Sequence, residues 1–312
     1  MNIYEDLSRV TKDKNTIITL GTFDGIHCGH KKILENVTEK AAQINGRSFI
    51  ITFNPHPRYV LSGDNKPGLL TTHREKIALL NSSGIENVLT INFTKEFSQL
   101  TPELFVKQYM VDGIGMSEII IGTDHHFGKG RGGDIKTLRE MGSHYGFKVG
   151  SIEPYMLDNE IVSSTKIRTT LSEGNISKVN KYLGRSYSFS GVVVEGDKRG
   201  RKLGFPTANI KMESENKLLP ALGIYVVEFI LDNITHYGLL SVGKRPTFYT
   251  SGEIIPEVYI YDFDREIYGS FVSVNILERL RGEEKFSSAE ELIKQMNLDK
   301  EAGLKILNKL VN

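Results

Sequence analysis

Cysteine is nearly absent from this chain. The single thiol, Cys28, cannot close an internal disulfide and leaves no CxxC pair for a zinc ribbon, so neither an oxidising compartment nor a cysteine-based metal framework is implied. An excess of one charge is also missing, with 39 Lys and Arg against 38 Asp and Glu. That balance creates no global field to hold a polyanion, and no local basic patch dominates, which argues against nucleic acid as a partner. No apolar run approaches the roughly 18 residues needed to span a bilayer, so a membrane partner is not expected. The first residues, MNIYEDLSRVTKDKN, include acidic side chains and no apolar h-region. A secretory signal is therefore not indicated, and a cytoplasmic protein is expected. Internal repeats and low-complexity segments are lacking too.

What is present is enough chain for two cores. At 312 residues the polypeptide is roughly twice the usual domain size, and its 39% hydrophobic and 25% charged residues are ordinary for a globular protein. From Ile17 to about Leu183, short apolar runs alternate with helical patterns, as in a parallel sheet with crossover helices. Ile17–Leu20, Ser48–Phe53, Val88–Phe93 and Ile119–Ile121 read as strands. Ile33, Leu34, Val37 and Ala41 share a helical face ending near Gly46. Thr72-His73-Arg74-Glu75 is a capping box for a helix that stops near Gly84, and Thr101-Pro102 supplies an N-cap with proline at N1. Past Arg185 the texture changes. GVVVEG, IYVVEFIL, HYGLLSVG, EVYIYDF and SFVSVNIL are strand-like runs separated by turn residues, the signature of a β-barrel. Ser288-Ala289-Glu290-Glu291 then opens a terminal helical region whose Leu292, Met296, Leu304 and Leu307 are expected to cover the barrel. The expected division is residues 1–184 and 185–312.

Directly after the first core strand comes Gly21-Thr22-Phe23-Asp24-Gly25-Ile26-His27-Cys28-Gly29-His30, leading into a helix. The glycines let the backbone approach a phosphate, and the helix start offers free N–H groups and the positive dipole end. His27 and His30, three apart, would project toward the same anion. Their chemistry there would be hydrogen-bond donation to charge building on phosphorus, not nucleophilic attack. A plain glycine-rich turn with surface histidines is the simpler alternative. A metal site from His27, Cys28 and His30 would crowd three ligands on one turn with no fourth nearby.

This stretch resembles the HxGH signature of nucleotidyltransferases, in the GxFDGxHxGH form of prokaryotic FAD synthetases. Phe53-Asn54-Pro55-His56-Pro57 is similar to the family's FxPHP element. Ile121-Gly122-Thr123-Asp124-His125-His126-Phe127-Gly128-Lys129-Gly130-Arg131 is similar to its flavin-side loop, although the family usually has an aromatic where His125 stands. A solvated charge run is the alternative for Lys129 and Arg131. Val162-Ser163-Ser164-Thr165-Lys166-Ile167-Arg168 matches the SSTxIR element. Hydroxyls at a helix start with Arg168 one turn inside can hold the outer phosphates of ATP; the alternative is that the serines simply cap the helix. The resemblance implies a Rossmann-like nucleotidyltransferase domain. In it His27, His30 and Arg168 would be catalytic, ATP would be held around Gly21, Phe23, Asp24, Gly29, Ser163, Ser164 and Thr165, and flavin would meet Pro55, Asp124 and Phe127.

Glu195 to Asn209 contains GRKLGFPTAN, which resembles the GRxLGFPTAN signature of riboflavin kinases. Interleaved glycines and cations make a loop able to fold over polyphosphate, without a Walker A sequence. A polar hairpin explains the glycines and charges but not the Phe-Pro-Thr-Ala-Asn tail. Thr207 and Asn209, two apart on a strand, point to one face and offer neutral oxygens suited to Mg²⁺ that keeps its waters and substrate phosphates. The resemblance implies ATP contacts at Gly196, Lys202, Gly204 and Pro206. Glu257-Val258-Tyr259-Ile260-Tyr261-Asp262-Phe263 followed by Tyr268-Gly269 resembles ExHxxDFxxxxYG, with Tyr259 replacing the usual histidine. Glu257 falls at the family's catalytic base; an exposed strand carboxylate is the alternative. Gly243-Lys244-Arg245-Pro246-Thr247-Phe248 and the run from Leu280 to Phe286, with Arg281 on the flavin side, also match family segments.

The implied activity is riboflavin phosphorylation in an antiparallel barrel with terminal helices, then FMN adenylylation in the α/β domain, both with ATP and Mg²⁺. A monomer or weak homo-oligomer is the expected assembly. Two alternatives stay open. One is a single working activity, given His125 and Tyr259. The other is a flavin-responsive binding protein without turnover, against which the retained His27, His30, Arg168 and Glu257 speak, since a binder need not keep transition-state groups.

Overall fold

The computed structural model describes residues 1–63, 66–196, 200, 203–243 and 254–311. They divide into two compact units, Met1–Ser164 and Thr165–Asn312. The first unit runs β1 (Asn2–Tyr4), β2 (Thr16–Leu20), α1 (Cys28–Gln43), β3 (Arg47–Asn54), α2 (Pro57–Leu61), α3 (His73–Asn81) and β4 (Asn87–Asn92). It continues through α4 (Pro102–Phe105), which passes into a π-helix over Val106–Ile114, then β5 (Met116–Gly122), α5 (Ile135–Tyr145), β6 (Lys148–Ile152) and the short ribbon β7 (Met156–Leu157) and β8 (Glu160–Ile161). The strands β1-β4-β3-β2-β5-β6 form one parallel sheet in that order.

Strand alternation sorts the buried residues onto two faces. Ile18, Leu20, Phe49, Ile51, Ile119 and Ile121 join Phe105, Met110, Ile114 and Leu138 of the α4 region and α5. Ile17, Ile50, Val88 and Ile120 meet Leu34, Val37 and Ala41 of α1 and Leu80 of α3. The capping box at Thr72 forms as expected: Glu75 N–H donates to Thr72 Oγ1 at 3.2 Å, and Thr72 N–H to Glu75 Oε2 at 2.9 Å. Thr101 likewise caps α4 through Leu104 N–H at 3.3 Å. The sheet order reverses at β2, because β3 and β4 extend one side while β5 and β6 extend the other. In open α/β sheets, the crevice beyond the strand carboxyl ends at such a reversal is where ligands bind. The segments leaving β2 and β5, residues 21–27 and 123–134, sit at that place.

The second unit begins within α6 (Ser164–Ser172) and continues with α7 (Ile176–Leu183), β9 (Tyr187–Val194), β10 (Thr207–Met212), β11 (Gly223–Leu231), β12 (Ile234–Val242), β13 (Glu257–Ile260), β14 (Phe271–Arg281) and α8 (Ala289–Val311). Among the described residues, β10-β13-β12-β11-β14-β9 close into an antiparallel barrel. Along β11, Tyr225, Val227 and Phe229 are fully buried on one face, while Val226 on the other packs with Leu239, Tyr261 and Leu307 of α8. One expectation for α8 is corrected here. Leu304 is 39% exposed, whereas Leu307 is buried against the barrel as expected, with Gly303 and Ile306 beside it. Gly303 is where the helix comes close to the barrel, since a side chain there would collide with the Tyr261 hydroxyl, and this close approach leaves the neighbouring Leu304 facing outward.

Helix α7 belongs with the barrel. Its Asn180 side chain donates to Ile276 O at 2.9 Å and accepts from Tyr187 N–H at 2.7 Å, tying it to β14 and β9. The second compact unit thus starts about twenty residues ahead of Arg185, where the strand texture begins.

Candidate functional site

The turn after β2 is tightly built. Phe23 and Ile26 hold φ of 47° and 37°, in the left-handed region that side chains rarely occupy. Such backbone persists only where the surroundings fix it, and such strain gathers at functional sites. Asp24, 3% exposed, supplies much of the fixing. Its carboxylate accepts from Leu70 N–H at 3.1 Å, Thr71 N–H at 2.9 Å and the Thr71 hydroxyl at 3.1 Å. Thr71 Oγ1 in turn accepts from Gly25 N–H at 3.1 Å, and Ser164 Oγ donates to the Asp24 carbonyl at 2.9 Å. Asp24 is therefore the clasp of the turn, a more specific position than an ATP contact alone would require.

His27 is the N-cap of α1, its Nδ1 accepting from His30 N–H at 3.3 Å. The two imidazoles stack with centroids 3.7 Å apart, and the edge of Phe23 meets His30 at 5.2 Å. Gly29 makes this possible, since a Cβ there would press on the His27 ring at 3.2 Å. Burial pulls His30 well below the ordinary histidine range, and the nearby positive charges of His27, His125 and Lys76 pull the same way. His30 is consequently neutral at pH 7, and its buried Nδ1 has no hydrogen-bond partner.

His125, on the segment after β5, is a second unusual imidazole. Its Nε2 is also buried without a hydrogen-bond partner, and burial lowers its pKa to about 4 against a smaller opposing pull from Asp124. The His125 ring lies nearly parallel to Phe127 at 6.3 Å. Phe127 itself is 7% exposed and packs in the core beside Phe105, closing its loop by reciprocal backbone bonds with Gly133 at 3.0 Å. Asp124 and Pro55 are exposed, and His56 caps α2 through Arg58 N–H at 3.2 Å.

Lys76 was not singled out from the sequence. It lies on the inward stripe of α3 with Leu80, and it is 7% exposed. Its ammonium donates to Thr22 O at 3.2 Å, Thr52 Oγ1 at 3.1 Å and Phe53 O at 3.1 Å. Burial lowers its pKa to about 8, partly offset by Asp24. A lysine on the apolar stripe of a short helix is the signal that could have found it, because unpaired lysine is almost never fully buried.

Ser163 precedes α6 and Ser164 opens it; Thr165 and Arg168 follow within its first turns. In the barrel, β10 lies between β9 and β13 with Asn209 opposite Glu257 and Thr207 opposite Tyr259. Directly opposed residues share a face, so these four side chains converge. The Thr207 hydroxyl donates to Glu257 Oε2 at 3.1 Å. A pocket lined by Gly196, Pro206, Thr207, Asn209, Arg265 and Tyr268 opens there. Glu257 touches it through Thr207 without lining it. Gly204 turns with φ 83°, and Phe205 packs edge-on against Tyr259 at 5.2 Å. Arg281 is held by Asp299 of α8, with Nε and Nη2 contacts of 2.9 and 2.8 Å that keep it firmly protonated. Lys202 and Lys244 to Phe248 lie outside the described residues.

Among the described residues, no group of three or more His, Cys, Asp or Glu could hold a metal ion. The hydroxyl and amide oxygens of Thr207 and Asn209 beside one carboxylate instead fit a cation that keeps waters and phosphate oxygens in its shell, which is the habit of Mg²⁺. None of the helices among the described residues is long and apolar enough to cross a membrane.

These two sites coincide with two family matches. The FAD synthetase model matches residues 9–166 and the riboflavin kinase model residues 183–307. A bifunctional riboflavin kinase/FMN adenylyltransferase of Listeria monocytogenes is 36% identical over 93% of this chain and 91% of its own length. The protein of the same description from Bacillus subtilis is 33% identical over 95% of this chain and 93% of its own. A crystal structure described as that of a macrolide-efflux protein from Streptococcus pneumoniae shares 30% identity and a TM-score of 0.87, covering 96% of this chain and 97% of that one. With one model on the histidine turn, the other on the barrel pocket, and relatives aligned across both, the chain belongs to the bifunctional riboflavin kinase/FMN adenylyltransferase family.

Proposed function

We propose that this chain makes FAD in two steps. Residues 185–312 transfer the γ-phosphoryl group of ATP to riboflavin, giving FMN and ADP. Residues 1–184 transfer the adenylyl group of a second ATP to FMN, releasing diphosphate. The observation that carries the reading is that two of the buried, unpartnered imidazole nitrogens, His30 Nδ1 in the first turn of α1 and His125 Nε2 on the segment after β5, stand at the sheet reversal and act on one another electrostatically. Polar atoms buried without a partner need a reason, and a bound phosphate or flavin supplies one.

In the adenylyl site, His27 and His30 stabilise charge developing on the α-phosphate as hydrogen-bond donors. Arg168, with Ser163, Ser164 and Thr165, holds the departing diphosphate. Gly21, Phe23, Asp24 and Gly29 shape the ATP side, while Pro55, Asp124 and Phe127 bound the flavin side. In the kinase site, Glu257 accepts the proton of the ribityl 5′-hydroxyl as that oxygen attacks the γ-phosphate, and the Thr207 hydrogen bond orients the carboxylate. Thr207 and Asn209 are the residues that would hold Mg²⁺, which would supply charge neutralisation to the phosphates of ATP when bound. Gly196, Lys202, Gly204 and Pro206 cover ATP, and Arg281 closes the flavin side by tying β14 to α8. The reading is completed by action in the cytoplasm as a monomer or weak homo-oligomer, and the balanced charge of the chain suits small-molecule rather than polyanionic partners.

Chromatography of flavins after incubation with ATP, Mg²⁺ and either riboflavin or FMN tests both steps. Glu257→Gln should cut FMN formation by about 10²-fold or more and spare FAD formation from supplied FMN. His27→Ala should do the reverse with ATP affinity nearly intact, whereas Arg168→Ala should also raise the ATP KM. Parental FMN production by Glu257→Gln would remove that residue from the mechanism.

A further inference from the structure

The buried ammonium of Lys76 lies outside every role assigned so far, yet it touches both segments that frame the adenylyl site. Its three N–H donors match three acceptors. Thr22 O belongs to the turn that carries His27 and His30, while Thr52 Oγ1 and Phe53 O end β3 just before the Asn54-Pro55-His56-Pro57 element. Thr52 Oγ1 adds its own bond to Thr22 O at 3.3 Å, so the two segments share one small network. An apolar side chain at 76 would remove all three ammonium bonds, leaving Thr22 O only the longer bond from Thr52 Oγ1 and the Phe53 carbonyl without its lysine donor in a buried setting, where an unmade hydrogen bond is costly. With all three donors in use and 7% exposure, Lys76 is not placed to grip a phosphate itself.

We propose that Lys76 is a positioning residue for adenylyl transfer, pinning the base of the histidine turn to the end of β3 so that His27 and His30 meet the α-phosphate in register. The proposal rests on the assignment of those histidines given above. Its charge has a second effect. The groups acting on His30 are His27 from its own helix, His125 from the segment after β5 and Lys76 from α3, and all of them disfavour protonation. Around Lys76 itself stand Asp24, which favours its charge, and His73, which its charge holds down. Removing the ammonium lifts the His30 pKa, so a site that works with neutral His30 loses activity at a higher pH.

The test uses the intact chain and follows FAD formation from FMN and FMN formation from riboflavin in the same preparations. Lys76→Met should lower kcat for FAD formation by about 10²-fold, as small misplacements of reacting groups do, with the ATP KM within a few-fold of the parent. The acid limb of its pH profile should move to higher pH, and FMN formation should stay parental. Thr52→Val removes one of the three acceptors and leaves the charge; FAD turnover should fall several-fold with the acid limb unmoved. A parental kcat and acid limb in Lys76→Met, even with a lowered melting temperature, overturn the proposal. If Lys76→Met does not fold, Thr52→Val decides, and a parental FAD rate there overturns it equally. His30→Ala separates the two ideas: parental FAD formation in that variant sinks the assignment of the histidine turn, whereas its loss alongside an active Lys76→Met sinks the role of Lys76 alone.

Discussion

Asp24→Ala probes whether the histidine turn is held by the clasp seen in the structure. The carboxylate is 3% exposed and accepts from the backbone amides of Leu70 and Thr71 and from the Thr71 hydroxyl. Alanine takes the acceptor away from all three donors at once. The hydroxyl can turn toward another oxygen, but the two amides are left buried and unmade, at about 1–3 kcal/mol each, so the loss should be about 2–6 kcal/mol. For a unit of this size that corresponds to a melting shift on the order of 10 °C. Asp24→Asn keeps an oxygen at the same place and loses the charge assistance, and it should cost about 1–2 kcal/mol. Thermal inactivation of FAD formation measures the shift, with FMN formation in the same samples as the reference. If Asp24 mattered through contact with ATP alone, the variant would melt with the parent and show only a raised ATP KM for FAD formation. Parental melting of Asp24→Ala would refute the clasp.

Gly196→Ala should lower FMN formation about tenfold or more while FAD formation from supplied FMN continues, because a Cβ at that position overlaps the Asn209 amide; an unchanged kinase rate would mean that Asn209 need not stay where it is. His125→Phe should flatten the acid sensitivity of the first unit. His125 titrates near 4 when folded against about 6.5 when unfolded. The folded state therefore binds fewer protons between those values, and stability falls as pH drops through that window. Equal melting losses in parent and variant between pH 7 and pH 5 would sink the idea. A fragment of residues 185–312 should retain kinase activity yet melt below one of residues 165–312, since the shorter piece lacks the Asn180 bonds and the buried Val179, Tyr182 and Leu183; equal melting temperatures would make α7 dispensable.

The sequence alone determined the class of each half. Apolar runs between helical stripes can only bury themselves in a covered parallel sheet, and short alternating strands without helices must close or pair among themselves. It also determined the local chemistry, because glycine placement, paired histidines and the Thr-x-Asn spacing act over a few residues. Contacts between distant segments were beyond it. That Asp24 grips residues 70 and 71, that Lys76 reaches Thr22 and Phe53, and that Arg281 pairs with Asp299 follows from how strands are ordered and helices laid down. Nothing in the neighbouring residues encodes it. Leu304 shows the same limit from the other side: helical spacing places it on one apolar stripe with Leu307, but only Leu307 is buried against the barrel, while Gly303 fits closely under Tyr261. The period of a helix is a local property, and its rotation against a partner is set only when the tertiary contacts form.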